Sequence, residues 1–169
     1  MPKLRLTKAA QKPSRQSLRN GCGKLTAAHK FWEAPLETLD RGQWEALCDG
    51  CGKCCLHKVE DEDTGRIYPT NVACKLLDVT TALCSDYKHR RAYVPDCLRL
   101  TQGKIADYFW LPSTCAYVLR DSGQPLPDWH YLVSGSRETI HEAGMSVKGR
   151  ALSEINAGPL ENHIVEQPL

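Results

Sequence analysis

The residues best suited to chemistry stand in one short run, C-D-G-C-G-K-C-C, which reads as Cys48-x2-Cys51-x2-Cys54-Cys55. Cysteines three apart around a tight turn can aim two sulfurs at one point. Gly50 and Gly52 suit the positive φ that such turns often need. Lacking side chains, they also let backbone N–H groups approach the sulfurs and favour the thiolate, the form that binds metal. One C-x2-C would be weak evidence. Two overlapping ones, followed by Cys74, Cys84, Cys97 and Cys115, point to a metal or redox centre.

Two kinds of metal compete for this pattern. Zinc takes four tetrahedral ligands, usually from two C-x2-4-C pairs. The run C-x2-C-x2-C instead matches the first three ligands of a bacterial ferredoxin, whose clusters take a remote fourth cysteine. That fourth ligand could be Cys74, Cys84, Cys97 or Cys115, and the spacing leans toward an iron–sulfur cluster over Zn2+ or a simple iron ion. Adjacent Cys54 and Cys55 add a constraint, because neighbouring side chains diverge by about 100° on a helix and to opposite faces on a strand. One of the pair is expected to serve a second site or to pack as a buried thiol, the bland fate also open to Cys115 beside Ala116 and Val118. His57, three residues past Cys54, is a weaker candidate ligand, and His130 and His141 read as surface imidazoles. No P-loop, G-x-S-x-G, Rossmann glycine pattern or H-E-x-x-H is present.

Stepping outward, Asp40 followed by Gln43 resembles a capping box, and Trp44 and Leu47 then share one helical face. That short helix runs straight into Cys48. HKVEDEDTGRIYPT reads as two strands joined by an acidic turn around Asp63-Thr64-Gly65. Further helices are expected near Ser85–Arg91, from a Thr101 cap to Phe109, over Cys115–Arg120, and over Ser136–Glu142, with QPLPDWHYL extended or turn-like. The fold expected is α+β: a small, irregular, cysteine-rich domain of short helices with a β-hairpin, organised around a metal or cysteine cluster.

The 169 residues suit one domain with an arm. Hydrophobic residues make up 41% and aromatics 7%, a thin core that would gain from bound metal. The net charge of +2 hides an asymmetry. Residues 1–32 hold eight basic and no acidic residues, leaving 14 basic against 20 acidic in the rest. We therefore divide the chain into a disordered basic arm, 1–30, containing Cys22, and a cysteine-cluster metal-binding domain, 31–169. A nucleic-acid role would rest on the arm alone. No apolar signal segment or membrane-length stretch is seen, so a cytoplasmic setting is expected, where the nine cysteines stay reduced and disulfides are disfavoured.

The blocks FWEAPLETL, WEALCDGCGKCCLHK, EDEDTGRIYPTNVACKLL, CSDYKHR, VPDCLRLT, FWLPSTCAY and LPDWHYLVSGS resemble the YcgN-like family of bacterial proteins. That family is a branch of the YkgJ-type cysteine-cluster proteins described as zinc- or iron-chelating. The resemblance covers roughly residues 31–165 and implies that Cys48, Cys51, Cys54, Cys55, Cys74, Cys84 and Cys97 carry the chelating function, with Cys115 belonging to the narrower branch. It also implies a nudge toward iron–sulfur chemistry. The basic arm lies outside the family pattern. The leading expectation is a metal- or cluster-binding protein serving electron transfer or metal handling. The alternatives are an iron–sulfur-dependent enzyme and a zinc-stabilised module that meets a protein partner.

Overall fold

The computed structural model describes residues 4–7 and 30–166. The arm expected over residues 1–30, with Cys22, lies outside the described residues except for Leu4–Thr7, which form strand β1, and Lys30. Next among the described elements come 3-10 turns at Phe31–Glu33 and Leu36–Thr38 and helix α1, Arg41–Ala46. The capping box is present: Gln43 N–H donates to Asp40 Oδ1 at 2.8 Å, and Asp40 N–H donates to Gln43 Oε1 at 3.0 Å. Trp44 and Leu47 are buried on one face, as their spacing predicts.

The hairpin is also present, as β2, Leu56–Asp61, and β3, Ile67–Ala73. Asp61 Oδ1 accepts the Asp63 and Thr64 N–H groups and so builds the acidic turn. The sheet order is β1-β2-β3-β6, with β6, Leu152–Ser153, parallel to β3. The register slips between Leu56 and Lys58, where Pro69 stands opposite Lys58 and cannot donate to a regular ladder. A second, two-stranded sheet pairs β4, Leu77–Asp78, with β5, Leu83–Cys84.

Of the later helices, the one expected over Cys115–Arg120 forms at its predicted length one residue further on, while three others are shorter than the sequence predicts. In place of a helix over Ser85–Arg91 there are turns, then α2, Arg90–Tyr93. Asp86 Oδ1 takes the His89 N–H and competes with helical pairing. The helix expected from Thr101 to Phe109 is only a 3-10 turn at Ile105–Asp107, because Gly103 at φ +75° breaks the helical path. Helix α3 spans Ala116–Asp121 and α4 Tyr131–Ser134. Helix α5 covers Thr139–Glu142, starting late because Ser136 Oγ takes the Glu138 N–H, and α6 is Glu154–Ala157. The class is mixed α and β, as expected. No helix among the described residues is long and apolar enough to cross a membrane.

Two hydrophobic clusters hold the chain together. The larger joins Leu36, Leu39, Trp44, Leu47, Leu100, Ile105, Leu111, Tyr117 and Leu126. The smaller joins Leu56, Ala73, Leu77, Ala82 and Val147. Cys48 and Cys54 belong to the first, and Cys55 packs against both.

His130 corrects the expectation of a surface imidazole, being fully buried. Its Nε2 lies 3.0 Å from the Leu47 carbonyl, and its Nδ1 accepts the Leu132 N–H at 3.1 Å, capping α4. Both bonds together need the neutral Nε2–H tautomer. Burial is the largest cause holding its pKa below the ordinary value. The unfolded chain therefore binds this proton more readily than the folded one. The stabilisation is complete above about pH 6.5 and is lost as pH falls toward the folded pKa. Replacing His130 with Phe should cost about 1–3 kcal/mol at pH 7 by orphaning two backbone groups. The variant should also lose part of the fall in melting temperature between pH 7 and pH 5. Parallel melts of the two proteins check both effects, and an unchanged pH slope would contradict this role.

Candidate metal centre

Helix α1 delivers Cys48 directly after its C-cap, Leu47. Gly50 and Gly52 both take φ +82°, turning the chain left-handed twice within three residues, as the spacing predicts. Asp49 Oδ1 accepts the Cys51 N–H at 2.9 Å and closes the first turn. Lys53–Cys55 then forms a 3-10 turn that leads into β2. Distant segments fasten this loop: the Val147 N–H donates to the Cys51 carbonyl at 2.8 Å, and the Cys74 N–H donates to the Cys55 carbonyl at 3.0 Å.

The eight described cysteines are thiols, with no disulfide among them. They fall into two neighbourhoods. Cys48, Asp49, Cys51, Cys54 and Cys115 line one cavity of about 20 Å³, walled by Leu100, Pro112, Ala116 and Tyr117. Burial pushes the Cys51 thiol well up, and Asp49, Cys48 and Cys115 push it the same way. Burial also raises Cys115 to about 11, again aided by Asp49. The second neighbourhood contains Cys55, Cys74, Cys84 and Cys97. Burial raises Cys84 to about 11, with Cys55, Cys97 and Cys74 acting in the same direction. Cys97 is raised first by burial and then by Cys55 and Cys74, while Arg90 opposes the rise.

The adjacent pair joins the two neighbourhoods. A hydrogen bond to Cys55 is the main cause raising Cys54, followed by burial and the nearby Cys55, Cys51 and Cys48. Consecutive positions on a 3-10 turn lie about 120° apart, so Cys54 faces the larger core while Cys55 reaches toward the later cysteines.

Several groups oppose this crowding of acidic thiols. Backbone N–H groups act to lower the thiol pKa at three positions: Lys53 at Cys51, Asp86 at Cys84, and Val118 and Tyr117 at Cys115. Lys58 is buried on β2 near Cys54, Cys55 and Cys51. Burial lowers its pKa to about 8, against the pull of these thiols. A neutral thiol is a weak acceptor and gains little from such donors; a thiolate gains much.

Sulfur donors in this number fit a thiophilic metal in kind. Among the described residues, however, no three His, Cys, Asp or Glu side chains close on a point that could hold an ion. The thiols are neighbours rather than a finished coordination shell. The Nε2 of His57 meets the Glu154 carboxylate. Sequence reasoning missed Lys58, Arg90 and Asp49. Only Asp49, inside the cysteine run, carried a local signal.

Comparison with known proteins agrees with this chemistry. Residues 47–116 match the CxxCxxCC family model, described as "Putative zinc- or iron-chelating domain". A UPF0260 protein of Rhizorhabdus wittichii is 59% identical, covering 86% of this chain and 100% of the relative. UPF0260 proteins of Gluconacetobacter diazotrophicus (52% identical, 85% of this chain, 91% of the relative) and Vibrio vulnificus (48%, 82% and 96%) are also similar. No solved structure matches.

Thiol reactivity follows exposure and thiolate character. In metal-free protein at pH 8, iodoacetamide should label half-buried Cys97, beside Arg90, before buried Cys51 and Cys54. Peptide mass spectrometry over a time course reads the order, and early labelling of Cys51 or Cys54 would contradict this description of the loop.

Proposed function

The chain belongs to the UPF0260 family, and from that premise we propose that it is a metal-handling protein with two four-thiolate sites meeting at Cys54 and Cys55. The first site uses Cys48, Cys51, Cys54 and Cys115; the second uses Cys55, Cys74, Cys84 and Cys97. The observation that carries this reading is the division of eight thiols into two quartets, with backbone N–H groups turned on sulfurs in each. Deprotonation and rotation about χ1 would close each quartet into a shell. A bound divalent zinc or iron ion would offset two of the four thiolate charges, and the backbone N–H groups turned on the sulfurs would help carry the remainder.

A single ion suits the first site better than the iron–sulfur cluster that the cysteine spacing favours. A cavity of about 20 Å³ has room for roughly one water-sized probe, and not for a core of several iron and sulfide atoms. The two small hydrophobic clusters, both touching the cysteines, also favour a stabilising contribution from the metal, in keeping with a fold organised around the cysteine centre. A reducing, cytoplasmic setting belongs to the same proposal, because a chelating site needs its cysteines kept from oxidation. The YcgN-like placement is part of this proposal and rests on the CDGCGKCCLHK block and the order of the later cysteines, with Cys115 marking the narrower branch.

Protein purified without oxygen and analysed for metal should contain about two zinc or iron ions per chain and little acid-labile sulfide. Cys51→Ser and Cys84→Ser should each remove about one ion, and Cys54→Ser and Cys55→Ser should deplete different sites. Cobalt replacement should give the visible spectrum of tetrahedral thiolate coordination. Stoichiometric sulfide, or equal and complete metal loss in all four variants, would overturn the two-site reading.

A further inference from the structure

A larger cavity, of about 500 Å³, lies beside the thiol loop, between the β2–β3 hairpin and the segment Phe109–Ser113. That volume is within the range of small-molecule sites. Its chemistry is uneven. Lys53, Lys58 and Arg66 bring positive charge to the wall, and among the described residues no Asp or Glu lines it. Lys53 and Lys58 are both buried, which is costly for ammonium groups unless something compensates the charge. Lys58 Nζ donates to the Leu56 carbonyl at 3.2 Å and sits 4.8 Å from the centre of the Trp110 ring. Arg66 lies over Tyr68 at the rim. Beside Trp110, Phe109 is 77% exposed, although the larger hydrophobic cluster begins at its neighbours Tyr108 and Trp110. An aromatic ring held in solvent at the mouth of a basic cavity gains nothing for the fold. It is well placed to cover a flat ligand.

We propose that this cavity binds a small organic anion with a planar apolar body. The anionic group sits against Lys53 and Lys58 with Arg66 at the rim, and the planar body lies along Trp110 and Phe109. Charge selects the head and aromatic contact holds the body, the usual division of labour in such sites. The thiols of Cys54, Cys55 and Cys51 are also near Lys58, so the ligand site and the thiol loop share one cation. The inference stands whether or not the thiols bind metal as two quartets, because it uses none of the cysteines as ligands.

The probes are 1-naphthoate and its neutral isostere 1-naphthamide, titrated by calorimetry into the full-length protein as purified. Naphthoate should bind saturably, one per chain, and naphthamide at least about tenfold more weakly, a discrimination expected where a built cationic site meets an uncharged analogue. Phe109→Ala and Arg66→Gln change exposed side chains, so both should keep the parent's metal content and melting temperature. Phe109→Ala should weaken naphthoate several-fold, and Arg66→Gln should narrow the preference for acid over amide. Equal binding of acid and amide, no saturable binding, or full affinity in the Phe109→Ala protein would each overturn the proposal. Failure of the metal stoichiometry would not affect these outcomes, so the two readings can fail separately.

Discussion

The structure depends on how the C-terminal end of α1 is held. The last carbonyls of a helix are open to partners from outside it, and here three of them are met from far along the chain. The Tyr117 hydroxyl donates to the Trp44 carbonyl at 2.9 Å, the Tyr131 hydroxyl to that of Ala46, and His130 Nε2 bonds that of Leu47. These three side chains fix the direction in which the backbone leaves the helix. Cys48 is the next residue, so they also fix where the thiol loop begins. Trp44 adds a fourth tie, its ring packed on Tyr117 with centroids 4.6 Å apart and its Nε1–H donating to the Leu100 carbonyl.

From that anchored start, the loop runs between two hydrophobic clusters that neither helix nor sheet would otherwise join. The 3-10 turn at Lys53–Cys55 is the seam. Cys54 is on the side of the larger cluster, and Cys55 touches both. Crowded thiols at such a seam raise one another's pKa, and the surrounding backbone answers with N–H groups, Lys58 and Arg90. Packing and charge are thus balanced over the same few residues, so neither can change alone.

Much of the local structure is legible in the sequence. The capping box, the hairpin with its acidic turn, and the double glycine turn rest on residues close together in the chain, whose preferences act without outside help. Of the helices expected after residue 85, the one at Cys115–Arg120 forms one residue further on, and the other three are cut short. Asp86 and Ser136 divert backbone N–H groups to their own side chains, and Gly103 reverses φ, effects that depend on a single competing bond or dihedral. Strand β6 and the partners of α1 were illegible for a different reason. Leu152–Ser153 is too short to show a period, and nothing near Tyr117 or His130 indicates a contact 73 or 83 residues away. The cysteines themselves were obvious, but their grouping was not. Spacing along a chain does not say which of Cys74, Cys84, Cys97 and Cys115 comes back to which neighbour, and only the fold sets Cys115 with Cys51 and the other three with Cys55.

The long ties on α1 have a consequence for the order of events in the life of the molecule. As the nascent chain lengthens, the run from Cys48 to Cys55 is complete long before Tyr117, His130 and Tyr131 exist to secure it. Contacts separated by 83 and 85 residues close late, because the intervening chain must first be brought together. During that interval the thiols are exposed to whatever the surroundings offer, ion or oxidant alike. Once the ties form, Cys48, Cys51 and Cys54 are each only 9% exposed, and a reagent can reach them only when the later segment opens. Anything the loop acquired early would therefore be exchanged slowly afterwards, at a rate set by two tyrosines and a histidine from far along the chain.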